Sequence, residues 1–294
     1  MSERHILNLG AGVQSTTLYL MSRAGEIPPF ESCIFADTGE ESAATYRHLE
    51  WLQSLAWPPI LVRSVGRLGD DLLRGQAHPG VERTSSRFAS IPAFTTKIAG
   101  DSGGRTKRQC SKEYKVEVIE RTIRREVLGL KPRQRLPKGH GIIQHFGISL
   151  DEASRATRLW ERHHIGTRSG DRLVKSPFPP QFILIDRQMT RANCLDYLAD
   201  KVPHETPRSA CVFCPFKTDE EWQRTRGVPE DWNRATQIDV GLRTTGAVAN
   251  RDMEQTMYLH RSCQPLTQIE FHPRANTKEL QLGFGVECEG VCGV

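Results

Sequence analysis

The sequence predicts an α/β fold in which a mainly parallel sheet of five strands is flanked by helices. Short apolar runs alternate along the chain with helix-compatible segments, and a glycine-rich turn follows the first run. Gly or Pro ends several of the segments. Strands that alternate with helices are typical of parallel βαβ units. A smaller, mainly helical region that carries cysteines is expected at the C-terminal end.

The first part of the chain predicts three strands and two helices. The strands are residues 5–9 (HILNL), 32–36 (SCIFA) and 60–65 (ILVRSV). The helices are residues 17–23, before Gly25 and Pro28, and residues 42–55, before Pro58 and Pro59. The alternation of strand-like and helix-like segments is lost between about residues 66 and 104. This predicts an active-site insertion or lid.

The rest of the chain continues the alternation and then changes character. It predicts a helix at residues 114–127, a fourth strand at 142–148, a helix at 151–162, a fifth strand at 182–185 and a helix at 191–199. From about Pro203 the chain is rich in Trp, Arg and Cys and poor in strands. We therefore predict a first domain at residues 1–200 and a Cys-bearing region at residues 201–294.

Composition narrows the class of protein. The 294 residues are 37% apolar and 26% charged, which is typical of a globular chain. No apolar stretch approaches the roughly 18 residues of a membrane span, and the first eight residues lack the apolar core of a signal peptide. These features predict a cytoplasmic protein with no membrane partner. Disulfides do not normally persist in that compartment, so the eight cysteines need another explanation.

Positive charge is concentrated in one segment. The net charge is +5, yet residues 97–138 alone contain thirteen Lys or Arg and five Asp or Glu. This segment favours an anionic partner, either nucleotide phosphates or a nucleic-acid backbone, and a solvated helix face is the alternative. Further along, Trp222 and Trp232 lie among arginines. They are able either to stack on nucleic-acid bases or to pack an amphipathic helix.

The turn after the first strand has the composition of a phosphate-binding loop. It consists of Gly10, Ala11, Gly12, Val13, Gln14, Ser15 and Thr16. A glycine-rich turn that enters a helix offers backbone N–H groups to phosphate, although this one lacks the Lys of a Walker A loop. Three interpretations remain: a degraded G-x-G-x-x-G dinucleotide loop with Asp37 as the ribose-binding acid, a pyrophosphatase-type S-G-G-x-D-S loop, or a turn without a ligand.

Six segments of the chain are similar to known motifs and occur in the same order. Ala11–Gln14 is similar to S-F-G-x-Q, and residues 37–46 resemble D-T-G…E-T-Y. Residues 110–116 resemble C-C-x-x-R-K-V, and residues 147–155 resemble G-x-R-x-D-Q…R. Residues 209–215 resemble the S-x-G-C-x-x-C motif, and residues 287–290 resemble the E-C-G-L-H tail. Together they resemble the phosphoadenylyl-sulfate reductase-like family of the PP-loop ATP pyrophosphatase superfamily, across nearly the whole chain.

The resemblance implies a Rossmann-like, HUP-type nucleotide alpha-hydrolase fold and an enzyme that cleaves ATP at the α-phosphate with release of pyrophosphate. Relatives of this kind insert sulfur into tRNA or DNA. Residues 10–16, Thr38, Gly147 and Ser149 would contact the nucleotide, and Asp37 would contact the adenosine or Mg²⁺. Lys115, Arg108 and Arg155 would neutralise the departing pyrophosphate. A cysteine-desulfurase-type sulfur donor and a homo-oligomer are further expectations.

The chain differs from the family pattern at positions that are expected to recognise the substrate. Ser111 stands where a second Cys would follow Cys110, and Ser149 replaces an Arg that would hold the sulfate end of a sulfonucleotide. The tail lacks Leu-His, and Cys292 follows Cys288. These differences favour an adenine nucleotide over a sulfonucleotide. Two alternatives stay open: a sulfonucleotide reductase that releases sulfite with Cys288 as its nucleophile, and an inactive nucleotide-binding partner subunit.

The cysteines predict a metal centre. Cys211-x-x-Cys214 supplies half a site. Cys110 is the third ligand by family position, and Cys288 or Cys292 in the tail would be the fourth. Four thiolates suit a [4Fe–4S] cluster or, alternatively, Zn²⁺. The remaining three, Cys33, Cys194 and Cys263, are expected to be buried small hydrophobes.

Overall fold

The structure is a computed structural model, which describes residues 3–74, 91–96, 104–169, 172–244 and 253–272. The strands are β1 (Arg4–Asn8), β2 (Ser32–Ala36), β3 (Ile60–Arg63), β4 (Phe94–Thr95), β5 (Ile142–Phe146), β6 (Thr167–Ser169), β7 (Arg172–Val174), β8 (Pro180–Gln181) and β9 (Met257–Tyr258). Five of them form the central sheet in the order β3-β2-β1-β5-β8, and every pairing in it is parallel. The predicted five-stranded parallel sheet is thus confirmed.

Helices cover the sheet and build the C-terminal part of the described chain. They are α1 (Val13–Arg23), α2 (Ala43–Ser54), α3 (Leu68–Arg74), α4 (Glu117–Thr122), α5 (Ala153–His164), α6 (Ile183–Asp186), α7 (Arg191–Leu198), α8 (Asp219–Arg226) and α9 (Pro229–Arg243). Two π-helical turns, Ser111–Val116 and Ile123–Val127, extend α4 at both ends. Short 3₁₀ turns occur at Leu150–Glu152 and Leu266–Gln268.

The alternation of side chains along β1 and β2 divides the core into two layers. Leu7 and Phe35 point to one face of the sheet, where they pack with side chains of α1, α2 and α7. Ile6 and Ile34 point to the opposite face and pack against α4. This period-2 pattern with both faces buried is what a parallel sheet covered by helices requires.

A third core cluster ties the C-terminal part to the rest of the molecule. Trp222 of α8 and Ile238 of α9 pack in one cluster with Leu68 and Leu72 of α3 and with Tyr114. The small antiparallel pair β4–β9 also joins residues from the two parts of the sequence. This cluster contains residues from both sides of residue 200. The domain boundary that we place there stays a prediction.

Two local predictions are wrong, and a third, the insertion or lid at about residues 66–104, is described only in part. Residues 182–185 are not the fifth strand: β8 lies just before them, and the apolar run forms α6, whose Ile183 and Leu184 are buried in the core beside α1. Helix α1 begins at Val13 rather than at residue 17. The segment 66–104 contains α3 and β4, with residues 75–90 and 97–103 outside the described residues.

Candidate functional site

The order of the strands places the sequence motifs at one edge of the sheet. β2 lies on one side of β1 and β5 on the other, so the strand order reverses between β1 and β5. The loops that follow these two strands, residues 9–12 and 147–149, therefore flank a topological switch point. Open α/β sheets bind ligands in the crevice at the carboxyl ends of the strands at such a point.

The loop after β1 is held in shape by its own side chains. Ser15 Oγ accepts hydrogen bonds from the backbone N–H groups of Gly10 and Gly12, at 3.2 and 3.3 Å. Ala11 adopts a positive φ of 55°, which is unusual for a residue with a Cβ atom. Residues 10–16 are all buried, and Ala11, Ser15 and Thr16 completely so, which means that neighbouring elements enclose the loop.

Gln14 joins the two loops of the switch point. Its Nε2 donates to Ser149 Oγ at 3.3 Å and to Glu152 Oε2 at 3.0 Å. Its Oε1 accepts from Nη1 of Arg191, at the start of α7, at 2.9 Å. Glu152 in turn accepts from Arg155 at 2.7 Å. The structure thus brings three of the predicted residues, Gln14, Ser149 and Arg155, into one polar group, and it adds Arg191. Gly147, another predicted residue, lies with Ser149 in the loop after β5.

The end of β2 carries a second polar group. Asp37 Oδ1 accepts from the N–H of Gly39 and from the hydroxyl of Tyr46, both at 2.8 Å. Burial, together with the charge of Asp37, raises the pKa of Tyr46, so its hydroxyl remains a donor. Thr38 Oγ1 lies 3.4 Å from Cys211 Sγ. This contact connects the predicted nucleotide motif with the cysteine motif.

The three predicted pyrophosphate-binding cations are placed differently from one another. Lys115 is buried and donates to Glu41 Oε1 at 2.9 Å, and Glu41 forms a β-bridge with Cys211. The Arg108 guanidinium lies 4.8 Å from the ring centroid of Phe216. Arg155 is only 4% exposed beside Glu152. Lys115 and Arg155 therefore have carboxylate partners inside the protein.

The cysteine motif forms a tight turn near these groups. The N–H of Cys214 donates to the carbonyl of Cys211 at 3.0 Å, and both residues border the third core cluster together with Cys110. Among the described residues, no three His, Cys, Asp or Glu side chains are arranged to hold a metal ion. Cys288 and Cys292 lie outside the described residues. The described part of the chain therefore does not by itself supply the metal site that we predict.

The cysteines outside the predicted metal site, and Trp222, make packing contacts inside the protein. Cys33 and Cys194 are fully buried, as predicted, whereas Cys263 is half-buried and its thiol donates to the carbonyl of Thr95 at 3.3 Å. Trp222 is fully buried and stacks with Phe271, their ring centroids 6.3 Å apart. Its position favours packing over base stacking.

A cleft of about 850 Å³ opens beside the β1–α1 loop. The first residues of three helices line it: Val13 of α1, Ser42 as the N-cap of α2 and Arg191 of α7. Five cations line it as well, here called the cleft cations: Arg47, Arg191, Arg208, Lys217 and Arg224. They outnumber the cleft carboxylates, Glu205, Glu221 and Asp231. The volume, the positive charge and the helix N-termini all suit a phosphate-bearing ligand.

Like Arg191, the other cleft cations Arg208 and Lys217 are held in place by neighbours. Arg208 pairs with Glu221, and the Lys217 ammonium donates to Thr225 Oγ1 at 2.6 Å. Burial lowers the pKa of Lys217, so its proton is held less firmly than that of an exposed lysine. Of the cleft cations, the sequence singled out only Arg224, as one of the arginines near Trp222 and Trp232. The others come from separate elements and share no spacing.

Comparison with known proteins gives no match, since no family model, no curated protein and no solved structure matches this chain. Within the part of the chain that the structure describes, no helix combines the length and the apolar character that crossing a membrane demands.

Proposed function

We propose that this protein is an enzyme that binds ATP at the switch point and cleaves it between the α- and β-phosphates, with release of pyrophosphate. The observation that carries the proposal is the position of the β1–α1 loop. It lies at the strand-order reversal, and Val13, which follows it at the start of α1, lines the cation-lined cleft. The choice of adenine as the base rests on the family resemblance of the motifs at residues 11–14 and 37–46.

In the proposed reaction, an acceptor nucleophile attacks the α-phosphorus. The bond to the α–β bridging oxygen breaks, and pyrophosphate leaves with the electron pair; with water as the acceptor, the other product is AMP. The cleft cations would neutralise the charge that develops on the pyrophosphate. Gln14 would hold the Arg191 guanidinium at the mouth of the loop, and Asp37 would contact the adenosine or Mg²⁺.

Product analysis with the purified full chain tests this proposal. ATP with Mg²⁺ should yield pyrophosphate, whereas orthophosphate as the first product would contradict the proposed bond cleavage. A parallel reaction with a sulfonucleotide and a thiol reductant should yield no sulfite. Sulfite there would favour the reductase alternative with Cys288 as its nucleophile. Tight ATP binding with no product under aerobic or anaerobic conditions would favour the inactive partner subunit.

The acceptor side of the reaction is also part of the proposal. Sulfur transfer to tRNA or DNA, a cysteine-desulfurase-type donor, a homo-oligomer and a [4Fe–4S] cluster or Zn²⁺ all follow from the resemblance and the cysteine spacing. No step is assigned to the cluster, because the described thiols do not complete a site. Anaerobic purification with iron, sulfide and zinc analysis tests it. Cys211→Ser should lose the metal, and full retention would show that the ligands are misassigned.

A further inference from the structure

Three side chains form a continuous chain of contacts from the β1–α1 region to the wall of the cleft. Thr16 Oγ1 lies 2.8 Å from His48 Nε2, and His48 Nδ1 lies 2.8 Å from His204 Nε2. Thr16 and His48 are fully buried, whereas His204 is exposed and lines the cleft. This series of contacts therefore begins in the first turn of α1, at Thr16, and ends at His204 in the wall of the cleft.

The protonation state of His48 limits which atoms can donate and which can accept in these hydrogen bonds. Burial lowers the pKa of His48 to about 4, so its ring is neutral near pH 7, with one N–H group and one nitrogen lone pair. If His48 Nδ1 accepts from His204 Nε2–H, then His48 Nε2–H donates to the hydroxyl oxygen of Thr16. Only this arrangement lets His204 keep its bond to His48 and carry a second proton, on Nδ1.

We propose that His204 binds a phosphate group of the ligand in this cleft through Nδ1–H as an imidazolium, with His48 and Thr16 as its positioning residues. This inference rests on the proposed function, because it assigns a residue to the same nucleotide site. Trp51 supports the orientation of the His204 ring, since the two rings meet edge to face with their centroids 5.4 Å apart. Neither Trp51 nor neutral His48 brings a charge.

The charges of the cleft make this protonation depend on the ligand. His204 shares the cleft with the five cleft cations and with the carboxylates Glu205, Glu221 and Asp231. A bound phosphate adds negative charge directly beside Nδ1 and thereby stabilises the imidazolium. Ligand binding and proton uptake at His204 are consequently coupled, and each favours the other by the same factor.

Calorimetric titration with inorganic pyrophosphate tests the coupling without any need for turnover. Titrations near pH 7 in two buffers of different ionisation enthalpy count the protons taken up on binding. His204→Gln should bind pyrophosphate about tenfold more weakly, as expected for the loss of a charged hydrogen bond, and should take up fewer protons. The exposed His164 lies outside the cleft lining, so His164→Gln should match the wild type. Equal affinity and equal proton uptake in His204→Gln would overturn the proposal.

A second pair of variants tests the positioning role of His48. A Gln amide is able to accept from His204 and donate to Thr16, whereas Leu is not. His48→Gln should therefore retain part of the proton uptake, and His48→Leu should lose it. Equal uptake in both would contradict the positioning role. Because His48 is fully buried, NMR titration of His204 in the wild type provides a measurement free of any folding defect. Adding pyrophosphate should move the imidazole signals of His204 towards those of an imidazolium, and unchanged signals would overturn the proposal.

The results for His204 can be distinguished from the results for the proposed reaction. Pyrophosphate binding that depends on His204, together with a failure to cleave ATP into pyrophosphate, would support this inference and refute the proposed function. Normal ATP cleavage with an unaffected His204→Gln variant would do the reverse.

Discussion

At the scale of single residues, the site is built from buried polar groups that have partners on other elements. Gln14 bonds Ser149 and Glu152, which lie in one turn, and Arg191, which lies about forty residues further along. A buried amide is stable only when its hydrogen bonds are made, so these contacts fix the side chains in one arrangement. Preorganised groups of this kind are able to hold a ligand without first being reordered.

Lys115 shows how a predicted phosphate-binding cation can have a structural role. Its ammonium pairs with Glu41 2.9 Å away, and both side chains are buried. Lys115→Met should leave the Glu41 charge buried without this partner and lower the free energy of unfolding by about 3–5 kcal/mol. The double variant Lys115→Met/Glu41→Gln should recover part of this loss, as measured by urea unfolding. Strictly additive losses would show that the pair is not coupled.

At the scale of elements, the β1–α1 turn makes the most specific demand on the sequence. Ala11 is fully buried with φ at 55°. A β-branched residue there would meet both the strain of this conformation and a lack of space. Ala11→Val should therefore cost about 2 kcal/mol or more in unfolding free energy. Ala11→Gly is the matched control, because Gly adopts a positive φ readily. Similar unfolding curves for the two variants would show that the turn is not strained.

The positions of most strands were predictable, whereas the type of one short apolar run was not. The apolar runs of β1, β2, β3 and β5 identified four sheet strands, and Gly12 with the polar residues behind it identified the turn before α1. The run at residues 182–185 misled because four apolar residues fit either a strand or a buried helical turn. Its helical form follows from tertiary packing, which buries Ile183 and Leu184 beside α1.

The candidate site was predictable only where it follows a strand. The loops after β1, β2 and β5 carry Gln14, Asp37 and Ser149, which a parallel sheet brings to one edge. The cleft cations Arg47 and Arg208 belong to segments whose mutual position depends on how the helices pack. Neither has a local spacing that marks it, so their convergence became visible only in three dimensions.

At the scale of the whole molecule, buried histidines predict a loss of stability in mild acid. Burial lowers the pKa of His145 to about 3, with a smaller contribution from neighbouring His5. An unfolded histidine titrates near pH 6.5. Above that pH both states are neutral. Below it only the unfolded state binds the proton, so stability falls as the pH drops towards the folded-state pKa, by about 1.4 kcal/mol per pH unit for each such histidine.

Urea unfolding between pH 6.5 and 5 measures this slope. His145→Gln should reduce it by the contribution of one histidine, and the exposed His164→Gln should leave it unchanged. An unaltered slope in His145→Gln would mean that His145 binds its proton equally in the folded and unfolded states.

The whole molecule brings together a sheet switch point, a loop built on Gly12 and a positively charged cleft, and we propose that ATP binds there. Equilibrium binding of ATP to the full chain is the most direct test, with Arg191→Ala as the site variant. Arg158→Ala is the control, because Arg158 is exposed on α5 and outside the cleft lining. The wild type and Arg158→Ala should bind ATP alike, and Arg191→Ala should bind about tenfold more weakly. No saturable binding by the folded wild type, or equal affinity in the two variants, would contradict the account.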